Sequence, residues 1–131
     1  MILNKSGAIL SIDYGERYFG FAIKLKNEDT SFPLDVFDSK KEDELKQILK
    51  YFKKYEVDNI IVGYPLGLTG RKTRMTDLVD EFIHKLEVIV NINVTPIDER
   101  FTSKIPVNDN KKRLDSLSAM LLLDTFIKDN E

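Results

Sequence analysis

Residues 8–25 read AILSIDYGERYFGFAIKL and contain two apolar runs separated by a polar turn. Residues 8–14 predict a buried strand that ends in an acid, and residues 18–25 predict a second strand. Gly15 permits a tight turn between the two runs because it has no Cβ. We therefore expect a hairpin with Asp13 at the end of its first strand.

The rest of the chain predicts further strands and helices. Pro33 indicates that the next strand lies at an edge, and the segment from Ser39 to Glu42 fits a capping box before the first helix. The predicted order is β-β-β-α-β-α-β-α, which is an α/β fold with a mixed sheet flanked by helices. After the hairpin, we predict strands at residues 31–37, 59–62 and 94–97, helices at residues 45–52, 78–86 and 113–127, and a loop at residues 102–112.

The composition limits the possible classes of protein. The length of 131 residues suits a single domain spanning 1–131, and a hydrophobic content of 42% supports a packed core. The chain has no cysteine, so a metal would be held by oxygen ligands or by His84, and oxygen ligands favour Mg²⁺ or Mn²⁺. No apolar run is long enough to cross a bilayer and the first residues lack a signal-peptide pattern, so we expect a cytoplasmic protein.

The distribution of charge is more informative than its sum. A formal net charge of −2 argues mildly against nucleic-acid binding. Basic residues nevertheless cluster in two later segments, which we interpret as loops that contact phosphates; solvated loops are the competing interpretation. The clustered residues are Arg71, Lys72, Arg74, Arg100, Lys104, Lys111, Lys112 and Arg113.

Three acidic positions stand out as candidate metal ligands. Asp13 and Glu99 lie at the ends of predicted strands, with Asp98 as an alternate to Glu99, and Asp115 lies at the start of the last helix. Each has an ordinary structural interpretation, since acids stabilise turns, ion pairs and helix N-termini. Small Ser118 and Ala119 share a helix face with Asp115 and would let this helix approach the sheet. Carboxylates gathered there would repel each other unless a cation bound between them.

Four segments resemble motifs of one family, in the family's order. Residues 12–22 (IDYGERYFGFA) are similar to its opening D-x-G motif, and residues 61–66 followed by Gly70 are similar to its V-G-x-P-L…G segment. Residues 98–103 match D-E-R-x-T-S, and residues 114–119 resemble its D-x-x-A-A helix. The chain thus resembles the YqgF/RuvX family of pre-16S rRNA nucleases and Holliday-junction resolvases.

This resemblance implies an RNase H-like fold and a metal-dependent nuclease. It assigns the metal-ligand and catalytic positions to Asp13, Glu99 and Asp115, and the cofactor to Mg²⁺ or Mn²⁺. Arg17 and Arg100 become candidates for phosphate contact, with salt bridges as the alternative. The expected substrate is structured RNA at the 5′ end of pre-16S rRNA or, alternatively, branched DNA.

Other interpretations of the sequence remain open. The chain could be a non-catalytic module that binds nucleic acid or ribosomes, while an actin-like ATPase is disfavoured because it would need two such domains. The predicted edge strand carries four apolar residues and would support a homodimer, unless loops cover the edge. These residues are Phe32, Leu34, Val36 and Phe37.

Overall fold

The computed structural model describes residues 7–67, 69–98 and 111–129, with side chains described at 7–67, 69–98 and 117–128. Three helices and six strands lie within these residues. The helices are α1 (Glu44–Lys54), α2 (Arg74–Val90) and α3 (Lys111–Asp129). The strands are β1 (Ala8–Asp13), β2 (Tyr18–Lys24), β3 (Ser31–Pro33), β4 (Phe37–Asp38), β5 (Val57–Tyr64) and β6 (Val94–Asp98).

Strand β1 lies at the centre of a mixed sheet. The strand order is β3-β2-β1-β5-β6, and the short β4 also pairs with β2. Neighbouring strands are antiparallel between β1 and β2 and between β2 and β3. They are parallel between β1 and β5 and between β5 and β6. The predicted hairpin and the predicted mixed α/β sheet are therefore confirmed.

The two faces of the sheet are covered by different helices. Alternate side chains of a strand point to opposite faces, so Leu10 and Ile12 join the core beneath α1 and α2. Ile9 instead packs in a second core with Ala119 and Leu123 of α3. Strand β1 is buried on both faces, as its apolar sequence predicts. Within the described residues, no helix is both long and apolar enough to cross a membrane.

The third predicted strand is divided. Residues 31–37 were expected to form one strand, but β3 pairs with β2 near Ile23 while β4 pairs with it near Phe19. Phe37 is only 7% exposed and belongs to the core, whereas Phe32 is 37% exposed. The expectation that both phenylalanines lie on an apolar edge is thus wrong for Phe37, because β4 turns its side chain inward.

The predicted capping box at the first helix is also wrong. The Ser39 hydroxyl donates to the Arg17 carbonyl at 2.7 Å, because pairing of β4 with β2 draws this segment toward the β1–β2 turn. The N-cap is Asp43, whose carboxylate accepts from the Leu45 N–H at 2.9 Å. The helix is thus capped by a side chain, but four residues later than the sequence pattern indicates.

Candidate active site and nucleic-acid interface

Asp13 lies at the end of β1, where three parallel strands finish. It pairs with Gly20 of β2. On the other side of β1, the preceding residue Ile12 pairs with Val62 of β5, which in turn pairs with Pro96 of β6. Asp13 is therefore level with Gly63 and Ile97, at the carboxyl ends of β1, β5 and β6. In open α/β sheets this edge is where ligands bind. The Asp13 side chain is partly buried.

The sheet face that carries Asp13 is the one covered by α3. Ser11, two residues before Asp13, is fully buried and donates a 2.6 Å hydrogen bond to the Ala119 carbonyl. Farther along α3, Asp124 accepts a 2.5 Å hydrogen bond from Ser31. Ser31 pairs with Lys24, which pairs with Ile9, so Asp124 lies toward the start of β1. These two contacts fix the direction of α3, which runs antiparallel to β1. Ser11 was not singled out in the sequence, although a polar residue within an apolar strand is a detectable signal.

Asp98 ends β6 beside Tyr64 of β5. Ile97 packs against the core beneath α3, so alternation along β6 turns Asp98 toward the opposite face, where α2 lies. Asp98 and Asp13 are thus on different faces of the sheet. The backbone of Asp115 lies within α3, four residues before Ala119, and its side chain is outside the described residues.

Two of the candidate phosphate-binding arginines already bind carboxylates. Arg74 was expected in a loop but is the first residue of α2, and its guanidinium donates two hydrogen bonds to the Glu16 carboxylate at 2.8 and 2.9 Å. Arg17 makes a similar contact with Asp38 at 3.2 and 3.1 Å. Arg74 lowers the pKa of Glu16, and Arg17 lowers the pKa of Asp38, chiefly through these hydrogen bonds. The salt-bridge alternative for Arg17 is therefore realised in this structure.

Lys72 is held in a polar cluster next to the end of β5. Its Nζ lies 3.2 Å from the Asp80 carboxylate, which also accepts hydrogen bonds from the Tyr64 hydroxyl at 2.9 and 3.1 Å. The Asp80 hydrogen bond is the main cause of a raised Lys72 pKa. Arg71 is exposed and forms no ion pair with any of the described residues.

The N-terminus of α2 is capped by its own side chains. The Thr73 hydroxyl accepts from the Thr76 N–H, and the Thr76 hydroxyl accepts from the Thr73 N–H, which forms a capping box. Thr76 is fully buried and donates to the Pro65 carbonyl. Two amides that would otherwise face a bound phosphate are therefore already paired, and the Thr73–Thr76 pair anchors the loop after β5 to α2.

The remaining predicted site residues follow β6 in the sequence or begin α3. Glu99, Arg100 and Lys104 lie outside the described residues. Lys111, Lys112 and Arg113 form the first turn of α3, but only their backbone is described. The helix thus begins two residues before the predicted start, so Lys111 and Lys112 are helical rather than part of a loop. Among the described side chains, no three acids or histidines form a metal-sized cluster, and two of the three predicted ligands fall outside that set.

Comparisons with known proteins agree with this arrangement. Residues 7–129 match the family described as "RuvX: Holliday junction resolvase". Curated relatives named "Putative pre-16S rRNA nuclease" include a protein of Mesomycoplasma hyopneumoniae, strain 7448, with 30% identity across 95% of this chain and 96% of its own. A protein of the same name from Ruminiclostridium cellulolyticum is 31% identical and covers 91% of this chain and 92% of its own.

Solved structures show the same fold at low sequence identity. Thermus thermophilus RuvC superposes with a TM-score of 0.59 at 9% identity, covering 93% of this chain and 96% of that chain. RuvC from the same organism in complex with a Holliday junction substrate gives a TM-score of 0.58 at 11% identity, covering 95% and 97% of the two chains. The RNase H-like fold expected from the motifs is therefore confirmed. With its family match extending over nearly the whole length, this chain belongs to the RuvX family.

Proposed function

We propose that this protein is an endonuclease that requires a divalent metal and hydrolyses RNA phosphodiesters during maturation of the 5′ end of pre-16S rRNA. Asp13, Glu99 and Asp115 are the proposed metal ligands, and Mg²⁺ or Mn²⁺ is the proposed cofactor. Family membership and the names of the curated relatives support the reaction and the substrate class.

The hydrogen bond between Ser11 and Ala119 carries this proposal. From Ser11 to Asp13 the strand advances about 7 Å. From Ala119 back to Asp115 the helix advances about 6 Å in the same direction, because α3 is antiparallel to β1. Asp115 also shares a helix face with Ala119, four residues later. The anchored helix thus supports an approach of positions 13 and 115 at the carboxyl end of β1.

The third ligand is better assigned to Glu99 than to Asp98. Asp98 is on the face of the sheet opposite to Asp13, as the register with Tyr64 requires. The period of two along a strand would return position 99 to the face of Ile97 and Asp13. This alternation favours Glu99 as the partner of Asp13 and leaves Asp98 on the α2 side.

The donor set suits a hard divalent cation. Carboxylate oxygens are preferred ligands of Mg²⁺ and Mn²⁺, and the chain contains no thiolate that would select a softer metal. Such a cation would supply Lewis-acid activation of water and stabilise the leaving oxygen of the phosphodiester. The role of the three acids is to hold it at the sheet edge and leave positions open for a substrate phosphate.

The proposed substrate contacts are the basic groups around this edge. Arg71 is exposed beside the start of α2, while Arg17, Lys72 and Arg74 would exchange a carboxylate for a phosphate. The first turn of α3 carries three cations and no acid, although the helix dipole disfavours cations there. A bound polyanion would relieve that repulsion. Arg100 and Lys104 complete the proposed set in the intervening segment.

A branched-DNA resolvase is the second candidate function. It is favoured by the family description and by the structural similarity to RuvC with its Holliday junction substrate. Incubating the purified protein with precursor 16S rRNA and with a four-way DNA junction, each with Mn²⁺, tests both. We expect RNA cleavage that Asp13→Asn abolishes and that Asp29→Asn, an exposed acid between β2 and β3, retains. Cleavage of the junction alone would establish the second function. Equal cleavage by the wild type and by Asp13→Asn would mean that the products do not come from the proposed site, and it would favour a non-catalytic module.

A further inference from the structure

We propose that a row of lysines on α1 is a second phosphate-binding surface, which holds the nucleic-acid backbone away from the scissile bond. The α1 lysine row consists of Lys46, Lys50 and Lys53. These residues are spaced by four and three positions, so they share one face of the helix, and all three are exposed. This inference rests on the proposed function in taking nucleic acid as the substrate.

The α1 lysine row differs from three of the basic residues near the Asp13 end of the sheet in being unpaired. Arg17, Lys72 and Arg74 each bind a carboxylate at 3.2 Å or less. The three lysines of the row form no ion pair with any residue whose side chain the structure describes. They are therefore directly available to a partner, whereas Arg17, Lys72 and Arg74 must first release an acid.

The local charges of α1 do not account for the row. Acids occur only at and just before the start of the helix, at Glu42, Asp43 and Glu44, and the first two line a shared cavity with Lys46 and Lys50 without forming an ion pair. From residue 46 to residue 54 there are four lysines and no acid. The helix dipole favours Lys53 in the last turn, but Lys46 lies too early to benefit from it. Like charges at this spacing repel, and a bound polyanion would remove that repulsion.

The row extends away from the proposed active site along the sheet. Tyr14, which follows Asp13, lines a cavity of about 110 Å³ together with Glu44 and Leu45 at the start of α1. After α1 the chain enters β5 at Val57, which pairs with Ala8 at the opposite end of β1. The helix of 11 residues is about 16 Å long and covers the sheet face opposite to the Asp13 side chain. A substrate engaged at Asp13 would therefore reach the row by passing around the edge of the sheet at the carboxyl end of β1.

The chemistry of the row favours nucleic acid over a membrane. A helix that lies on lipid presents large apolar side chains beside its lysines. In α1 the apolar residues Leu45, Leu49 and Phe52 pack against the core instead. The exposed large apolar residues of the described chain are all on other elements, at Phe32, Val88 and Ile89.

A comparison of two triple variants tests the inference. One variant replaces Lys46, Lys50 and Lys53 with Gln; the matched control replaces three exposed lysines elsewhere, Lys26, Lys85 and Lys128, with Gln. Binding of a labelled RNA hairpin is measured by fluorescence anisotropy between about 50 and 200 mM salt. We expect the negative slope of log binding constant against log salt concentration to become shallower by about 2 in the row variant, since each phosphate contact contributes about 0.7–0.9. Equal slopes in the two variants would overturn the inference.

Two further measurements separate the possible failures. If the wild type cleaves neither RNA nor a DNA junction but the row variant still loses RNA affinity, the proposed activity fails and the row stands. Sedimentation with anionic phospholipid vesicles addresses the other polyanion. Loss of vesicle binding in the row variant with unchanged RNA binding would assign the row to a membrane and overturn the proposal. Far-ultraviolet circular dichroism confirms that all variants are folded.

Discussion

The buried Ser11 hydroxyl donates to the carbonyl of Ala119 at 2.6 Å and so connects the central strand to α3. Replacing Ser11 with Ala removes this hydrogen bond within the core. We expect a loss of about 1 kcal/mol in the free energy of unfolding, measured by urea denaturation. Ser31→Ala is the matched control, because its bond to Asp124 is exposed and water can replace it. An equal loss in both variants would show that the burial of the Ser11 bond has no energetic weight.

Gly15 is required by the close approach of backbone in the β1–β2 turn. A Cβ at this position would overlap the carbonyl oxygen of Tyr18, and a backbone oxygen cannot rotate away as a side chain can. We expect Gly15→Ala to destabilise the fold by about 1–3 kcal/mol in urea unfolding. At Gly67 the nearest atom, the Arg71 carbonyl oxygen, would be 3.4 Å from the added Cβ, which is ordinary contact. Gly67→Ala should therefore be nearly neutral, and a larger effect there than at Gly15 would refute the argument.

The Glu16–Arg74 ion pair was not predictable from the sequence. The two residues are 58 positions apart, so no local pattern connects them. The same holds for Arg17 and Asp38, 21 positions apart, which meet only because β4 pairs with β2. The positions of cations were visible in the sequence, but the acids that neutralise them depend on the tertiary structure.

Patterns with a strong local cause were predicted correctly. The apolar run that ends in Asp13, the turn at Gly15 and the hairpin all appear in the structure. The capping box at Ser39 failed because a tertiary contact with Arg17 competed for the hydroxyl. The Thr73–Thr76 box lacks the usual Glu or Gln and was missed for that reason. Of the candidate metal site, the strand-end position of Asp13 follows from sequence, whereas convergence with Glu99 and Asp115 stays a prediction.

Release of Arg74 should strengthen substrate binding. In Glu16→Gln the guanidinium loses its charged partner and becomes available to a phosphate. We expect tighter RNA binding by fluorescence anisotropy and a log–log salt slope steeper by about 0.7–0.9. Glu28→Gln changes the net charge equally at an exposed site in the β2–β3 turn and serves as the control. Weaker binding in Glu16→Gln would show that the ion pair positions Arg74 rather than blocking it.

Burial of Lys24 should make stability depend on alkaline pH. Its ammonium group is inside the protein and donates to the Gly7 carbonyl at 2.7 Å, and burial lowers its pKa. The unfolded chain therefore binds more protons, so the free energy of unfolding rises with pH between the folded pKa and the unfolded value of about 10.4. Lys24→Met should lack this component. Urea unfolding of both proteins at several pH values gives the difference between their free energies of unfolding, in which the contributions of the tyrosines cancel. A difference that stays constant with pH would contradict the prediction.

Metal binding should distinguish the two adjacent acids after Ile97. We expect Mn²⁺ to bind weakly to the free protein, because three carboxylates leave coordination positions that a substrate phosphate would fill. In titration calorimetry, Asp13→Asn should abolish the binding heat and Glu99→Gln should reduce it strongly. Asp98→Asn should resemble the wild type, since the register with Tyr64 places residue 98 on the α2 side of the sheet. The same charge is removed in each case, so the differences report position rather than net charge. Loss of Mn²⁺ binding in Asp98→Asn, with retention in Glu99→Gln, would transfer the ligand role to Asp98.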